Sequence, residues 1–64
     1  MNAKELLRQY QAGERNFQQV NLTQVILKNT SLPEINFSQA ILAEADFSDG
    51  NLKQAIFYQA SLNP

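Results

Sequence analysis

Leucine or phenylalanine occupies every fifth position from residue 17 onward: Phe17, Leu22, Leu27, Leu32, Phe37, Leu42, Phe47, Leu52, Phe57 and Leu62. A continuous helix turns about 140° in five residues and would scatter these side chains around its circumference. A continuous strand reverses its side-chain direction at every odd step. They can share one core only if the chain turns a corner within each five-residue unit. The flanking positions agree. Two residues before each large one stand Val20, Val25, Thr30, Ile35, Ala40, Ala45, Gly50, Ala55 and Ala60, mostly small or apolar. Between the two lies a mainly polar position: Asn16, Asn21, Ser31, Asn36, Asp46, Asn51 and Ser61. This short in–out–in alternation predicts a stub of strand. The two polar residues that follow predict an exposed turn.

The register of the repeat predicts how many corners close one turn. Comparing the ten positions at an offset of 20 gives five identities in six; offsets of 15 and 25 give one in seven and one in five. An offset of 10 gives six in eight, but two corners cannot enclose a core. The segments NFQQVNL, NFSQAIL and IFYQASL repeat the same register. Four units per turn place Phe17, Phe37 and Phe57 in one column, and Leu22, Leu42 and Leu62 in the next. Gln19, Gln39 and Gln59 then form an outer ladder of amides. The expected architecture is an all-β solenoid, a four-sided parallel β-helix of about two and a half coils.

Units such as Ala45-Asp46-Phe47-Ser48-Asp49 and Gly50-Asn51-Leu52-Lys53-Gln54 resemble the A-(D/N)-L-x-x motif of pentapeptide-repeat proteins. The resemblance covers residues 15–64 and implies that family's right-handed quadrilateral β-helix, with the Leu/Phe and the small residue pointing inward. Hexapeptide, nonapeptide and leucine-rich repeats have other periods and fit worse. Several units depart from the pattern. Arg15 stands in a small-residue slot and marks a junction, and Ile35 is large for its slot. Pro33 removes one backbone donor at a corner. Ile26, Ile41 and Ile56 replace the polar outward residue.

Residues 1–14 read as an N-terminal capping helix and junction, and residues 15–64 as the repeat domain. Asn2 and Glu5 stand at capping-box spacing, with Leu6, Leu7 and Tyr10 on one helical face and Gly13 as the stop. So short a helix is marginal alone and has to pack over the first coil. At the other end Phe47, Leu52, Phe57 and Leu62 form the floor of an open coil. Two expectations follow: a homodimer through end-stacking of these four residues, or a piece of a longer solenoid. Some family members dimerise by C-terminal stacking, which the resemblance extends to this chain.

Composition narrows the function. Sixty-four residues are near the lower limit for a self-sufficient core, and the chain has no cysteine or histidine. This removes disulfides, thiol nucleophiles, imidazole bases and the usual zinc sites. A cysteine-free chain fits a reducing compartment, so a cytoplasmic location is expected. No stretch approaches the roughly 20 apolar residues of a membrane span, and no membrane contact is expected. The net charge is −1, and Lys28 and Lys53 are the only bases past Arg15, so nucleic-acid binding is not expected. Glu44, Asp46 and Asp49 are the densest carboxylates, on an outer face with no cleft to shift their pKa values. Ser31, Ser38, Ser48 and Ser61 lack an activating partner. The sequence therefore predicts no catalytic residue, no metal and no cofactor.

The expected function is a non-catalytic structural or protein-interaction module, acting through its faces or by end-to-end assembly. Ile26, Ile41 and Ile56, with Tyr58, make the candidate partner surface. The alternative, implied by the family, is mimicry of DNA toward a type II topoisomerase. Magnitudes weigh against it. At about 4.8 Å per coil the rod is roughly 12 Å tall. Duplex DNA carries about seven negative charges over that height, one per ~1.7 Å. The solenoid has Glu34, Glu44, Asp46 and Asp49 against Lys28 and Lys53, four minus two, a net of −2.

Overall fold

In the computed structural model, which describes residues 1–62, a single helix precedes a regular stack of five-residue units. Asn63 and Pro64, the last two residues of the 15–64 repeat domain, lie outside the described residues. Helix α1 spans Ala3–Gln11. Its first turn is capped by the Asn2 side chain, which accepts from the Glu5 N–H at 2.8 Å. The reciprocal half of the expected capping box is not made: the Glu5 carboxylate turns outward and takes the Arg8 guanidinium one turn on. A charged donor within reach outcompetes the neutral Asn2 N–H. The helix ends at Gly13, whose φ of 104° only glycine adopts readily. There Gly13 N–H reaches the Tyr10 carbonyl and Glu14 N–H the Gln9 carbonyl, the paired bonds of a Schellman motif.

From Asn16 onward the chain repeats one conformation. Parallel β-bridges join Asn16 to Asn36, Asn21 to Ile41, Ile26 to Asp46, Ser31 to Asn51, Asn36 to Ile56 and Ile41 to Ser61. Every partner lies twenty residues, or four units, away. The bridges stay single, where the sequence predicted stubs of strand, because each unit bends again before a second residue can pair. The backbone ladder is continuous nonetheless. Phe17 N–H donates to the Asn36 carbonyl at 2.9 Å, Leu22 to Ile41 at 2.8 Å and Leu27 to Asp46 at 2.7 Å. In return Asn36 N–H reaches Arg15 and Ile41 N–H reaches Val20, both at 2.8 Å.

Each corner is a β-turn. Val25 N–H closes on the Leu22 carbonyl at 3.0 Å, and Ala40, Ala45, Ala55 and Ala60 close equivalent turns. The third residue of every such turn is left-handed: Gln19, Gln24, Asn29, Glu34, Gln39, Glu44, Asp49, Gln54 and Gln59 all have φ between 55° and 64°. A positive φ at that place is the mark of a type II turn, which ordinarily selects glycine.

The turns hold the period-five residues in one core. Phe17, Leu22, Leu27, Leu32, Phe37 and Leu42 are buried, together with Leu6 from α1 and Val25, Ile35 and Ala40 from the small-residue slots. Phe37 centres the aromatic packing, with ring centroids 6.4 Å from Phe17 and 5.8 Å from both Phe47 and Phe57. Leu62 is corrected from core to surface: it is 58% exposed. Phe47, Leu52 and Phe57 are half-buried. The contrast between the two ends has a direct cause. The first coil lies under α1, and among the described residues nothing is stacked below the last.

Candidate functional site

What the fold presents on its outer faces is decided unit by unit, by the outward residue. Where it is Asn or Asp, its side chain folds back over the corner. Asn16 Oδ1 accepts from Gln18 N–H at 3.1 Å, Asn21 from Thr23 at 3.1 Å, and Asn36 from Ser38 at 2.9 Å. Asp46 Oδ1 and Asn51 Oδ1 do the same for Ser48 and Lys53, both at 2.9 Å. These are Asx turns. The donor they engage is the first corner N–H, which neither the ladder nor the turn uses. The polar outward position is thus a backbone partner, a role that solvent exposure alone did not suggest. The recurrence of Asn or Asp two residues before a corner residue was the available signal.

The three isoleucines break this arrangement. Ile26, Ile41 and Ile56 are 63%, 41% and 47% exposed. No side chain among the described residues accepts from the N–H groups of Lys28, Ala43 or Tyr58, two residues after each. Pro33 behaves differently. It stands where Lys28, Ala43 and Tyr58 stand but has no N–H, so Ser31 leaves no donor unmatched. Tyr58 is 66% exposed. In the bridge register Ile26, Ile41 and Ile56 fall on three successive faces, one coil apart, with Tyr58 on the corner that follows Ile56.

The corner side chains build columns along the stack. Gln19 Nε2 donates to Gln39 Oε1 at 3.2 Å, and Gln39 Nε2 to Gln59 Oε1 at 3.1 Å. In the next column Gln24 Nε2 donates to Glu44 Oε1 at 3.0 Å. Two of the three clustered carboxylates are engaged: Glu44 by this amide, and Asp46 by both the hydroxyl and the N–H of Ser48. The Ser48 hydroxyl first, then its N–H, holds the Asp46 carboxyl below its ordinary pKa. Among the described residues no three acidic side chains converge on a common point to hold a metal ion.

At the N-terminal end the polar contacts tie α1 to the first coil. Tyr10 Oη donates to the Pro33 carbonyl at 2.7 Å, and the Arg15 guanidinium lies 3.7 Å from the centre of the Tyr10 ring. Arg15 Nη1 also donates to the Tyr10 carbonyl at 2.9 Å. The Glu14 carboxylate accepts from Asn16 N–H at 2.9 Å. Sequence reasoning marked Arg15 as a junction residue but did not foresee its stacking, or the tyrosine hydroxyl as an edge donor. Of the four residues expected at the open end, Phe47, Leu52 and Phe57 pack half-buried against the core, while Leu62 lies exposed.

A helix-capped stack of turns with parallel pairing at a fixed twenty-residue offset defines a repeat protein. Its repeat is that of a known family: the model for pentapeptide repeats matches eight copies over residues 16–59, more than half of the chain. The chain belongs to the pentapeptide-repeat family. Comparison with curated proteins gives no match. Among the described residues no helix is long and apolar enough to cross a membrane.

Proposed function

We propose that this chain is a non-catalytic cytoplasmic interaction module, a right-handed four-sided β-helix of about two and a half coils that docks a protein partner. The twenty-residue bridge offset and the family membership support the coil reading. The interaction reading rests on one observation: the outward isoleucines forgo a bond that the fold offers. Asn at those positions would engage the N–H of Lys28, Ala43 or Tyr58, as Asn16, Asn21, Asn36 and Asn51 do for theirs. Each such bond contributes about 0.5–1.5 kcal/mol. Isoleucine gives that up and places an apolar side chain in water. A surface that departs from the locally favoured residue three times is kept for contact.

The competing explanation is local propensity, since β-branched residues suit extended backbone by up to about 1 kcal/mol. Ile26→Asn, Ile41→Asn and Ile56→Asn combined separates the two. The expected result is a variant as stable as the parent or more so, by about 1–2 kcal/mol in urea unfolding, that no longer retains a protein cross-linked to the parent in native cells. A less stable triple variant that still binds would assign the isoleucines to propensity and remove the interaction surface.

A further inference from the structure

The two ends of the described stack carry complementary polar edges, each with its own N–H and carbonyl groups. Among the described residues, the N–H groups of Phe47, Asp49, Leu52, Gln54, Phe57 and Gln59 find no acceptor, although their counterparts one coil earlier all donate down the ladder. The N-terminal edge presents the matching acceptors, the carbonyls of Asn16, Asn21, Ile26 and Ser31 with those of Gln18, Thr23, Lys28 and Pro33. Helix α1 covers that edge. Leu6 is fully buried on it, and the Tyr10 hydroxyl occupies the Pro33 carbonyl.

We propose that α1 is a stopper. Without it, the N-terminal edge of one copy would seat on the C-terminal edge of another, and the chain would grow into head-to-tail rods. The proposal rests on the four-sided coil reading above.

The sequence supports this occupant in detail. If a second copy continues the winding after Leu62, its residue n falls at position n + 50, ten five-residue units on. Its Phe17 then lies under Phe47, its Leu22 under Leu52, its Leu27 under Phe57 and its Leu32 under Leu62. Outward residues also match in kind: its Asn21 follows Asn51, its Ile26 follows Ile56 and its Ser31 follows Ser61. At the corner, its Gln19 amide faces the Asp49 carboxylate, the pairing that Gln24 and Glu44 already make at 3.0 Å. From the second copy's residue 16 onward no like charges meet; its Glu14, which the same register sets over Glu44, has to swing aside with the helix. Phe47 N–H would donate to the second copy's Asn16 carbonyl, as Phe17 donates to Asn36. Such a contact is heterologous and does not close, so it propagates. The helix is what keeps the parent from supplying the second edge.

The test releases the stopper. Leu6→Asp removes its buried anchor, and Tyr10→Phe with Arg15→Ala loosens it more gently. Circular dichroism follows the fold, and sedimentation velocity with electron microscopy follows assembly. The expected result is long, unbranched rods from either release variant, with the β-type spectrum retained. Adding parent chain, capped at one end and open at the other, should terminate growth and shorten the rods in proportion to the amount added. Parent carrying Leu62→Asp should not. Folded, monomeric release variants would overturn the stopper while leaving the coil intact. So would assemblies indifferent to added parent, or a parent already dimeric through its C-terminal end. Loss of the β-type spectrum in both variants would also overturn it, because the helix would then be supporting the coil.

Discussion

Replacing Asn36 with alanine removes the oxygen that accepts from Ser38 N–H at 2.9 Å, in a part-buried corner near the middle of the stack. The bond itself contributes about 0.5–1.5 kcal/mol, and a donor left unmatched where water reaches it poorly costs about 1–3 kcal/mol. Ser38 is half-buried, so water replaces part of the loss and about 1–2 kcal/mol remains. For a domain of this size that lowers Tm by roughly 5–15 °C. Ser31→Ala is the internal control. Ser31 holds the same outward bridge position, but the residue two places on is Pro33, which has no N–H to lose. Its replacement should change stability by no more than about 0.5 kcal/mol. Both variants carry alanine at an outward position, so any difference in strand propensity is largely shared. Urea unfolding followed by circular dichroism, with equal m-values, gives the two changes directly. Equal losses at Asn36 and Ser31 would refute the assignment of the outward Asn as a backbone partner.

Gly50→Ala should destabilise by about 1–3 kcal/mol, because its Cβ would lie 2.7 Å from the Thr30 carbonyl oxygen, a backbone atom that cannot step aside. Thermal melts of this variant check it; an unchanged Tm would mean that the two coils separate there at no cost. The Asp46 carboxyl is held below its ordinary pKa by Ser48, so its share of stability is present above about pH 4 and lost as pH falls through the folded value. Melts of the parent and of Asp46→Asn over that window should converge toward acid, with the parent losing more; parallel curves would exclude the Ser48 contact as the cause. Gln39→Gly and Gln54→Gly both relax a left-handed corner, but only Gln39 holds two ladder amides, to Gln19 and Gln59. The Gln39 change should therefore be the worse of the two by about 1 kcal/mol in urea unfolding.

The core and its register were legible because both depend on one simple signal, the unbroken spacing of Leu and Phe. The same signal named the Phe17–Phe37–Phe57 column, of which Phe17 and Phe37 are buried, and the glutamine ladder beside it. Helix α1 was legible from its ends, since Asn2 and Gly13 flank Ala3–Gln11. The left-handed corners were not. Left-handed turns are read from glycine, and here Gln, Glu, Asn and Asp occupy all nine. The Asx bonds were missed for a related reason: an outward polar residue is first read as solvated, and its backbone partner shows only once the corner geometry is known. Tyr10 was assigned to a helix face by periodicity, which says nothing about where its hydroxyl reaches. Leu62 carries the repeat's signature yet lies open, because burial needs a neighbouring coil as well as the right residue.

The absence of glycine from nine left-handed corners raises a question of magnitude. A non-glycine residue there costs about 1–2 kcal/mol, so nine together approach the whole net stability of a small domain, about 5–15 kcal/mol. Glycine would relieve that strain, but it also enlarges the conformational freedom of the unfolded chain, by roughly 0.5–1 kcal/mol per residue. About half of the relief is therefore cancelled, and the remainder is within reach of one side-chain bond. The columns supply such bonds through Gln19, Gln39 and Gln59, and through Gln24 with Glu44. Where such a bond forms, the side chain offsets what glycine would relieve. The fold depends on the inward Leu and Phe and on the outward Asn, whereas the corners without a column bond and the three isoleucine positions can vary the outer surface without losing the stack.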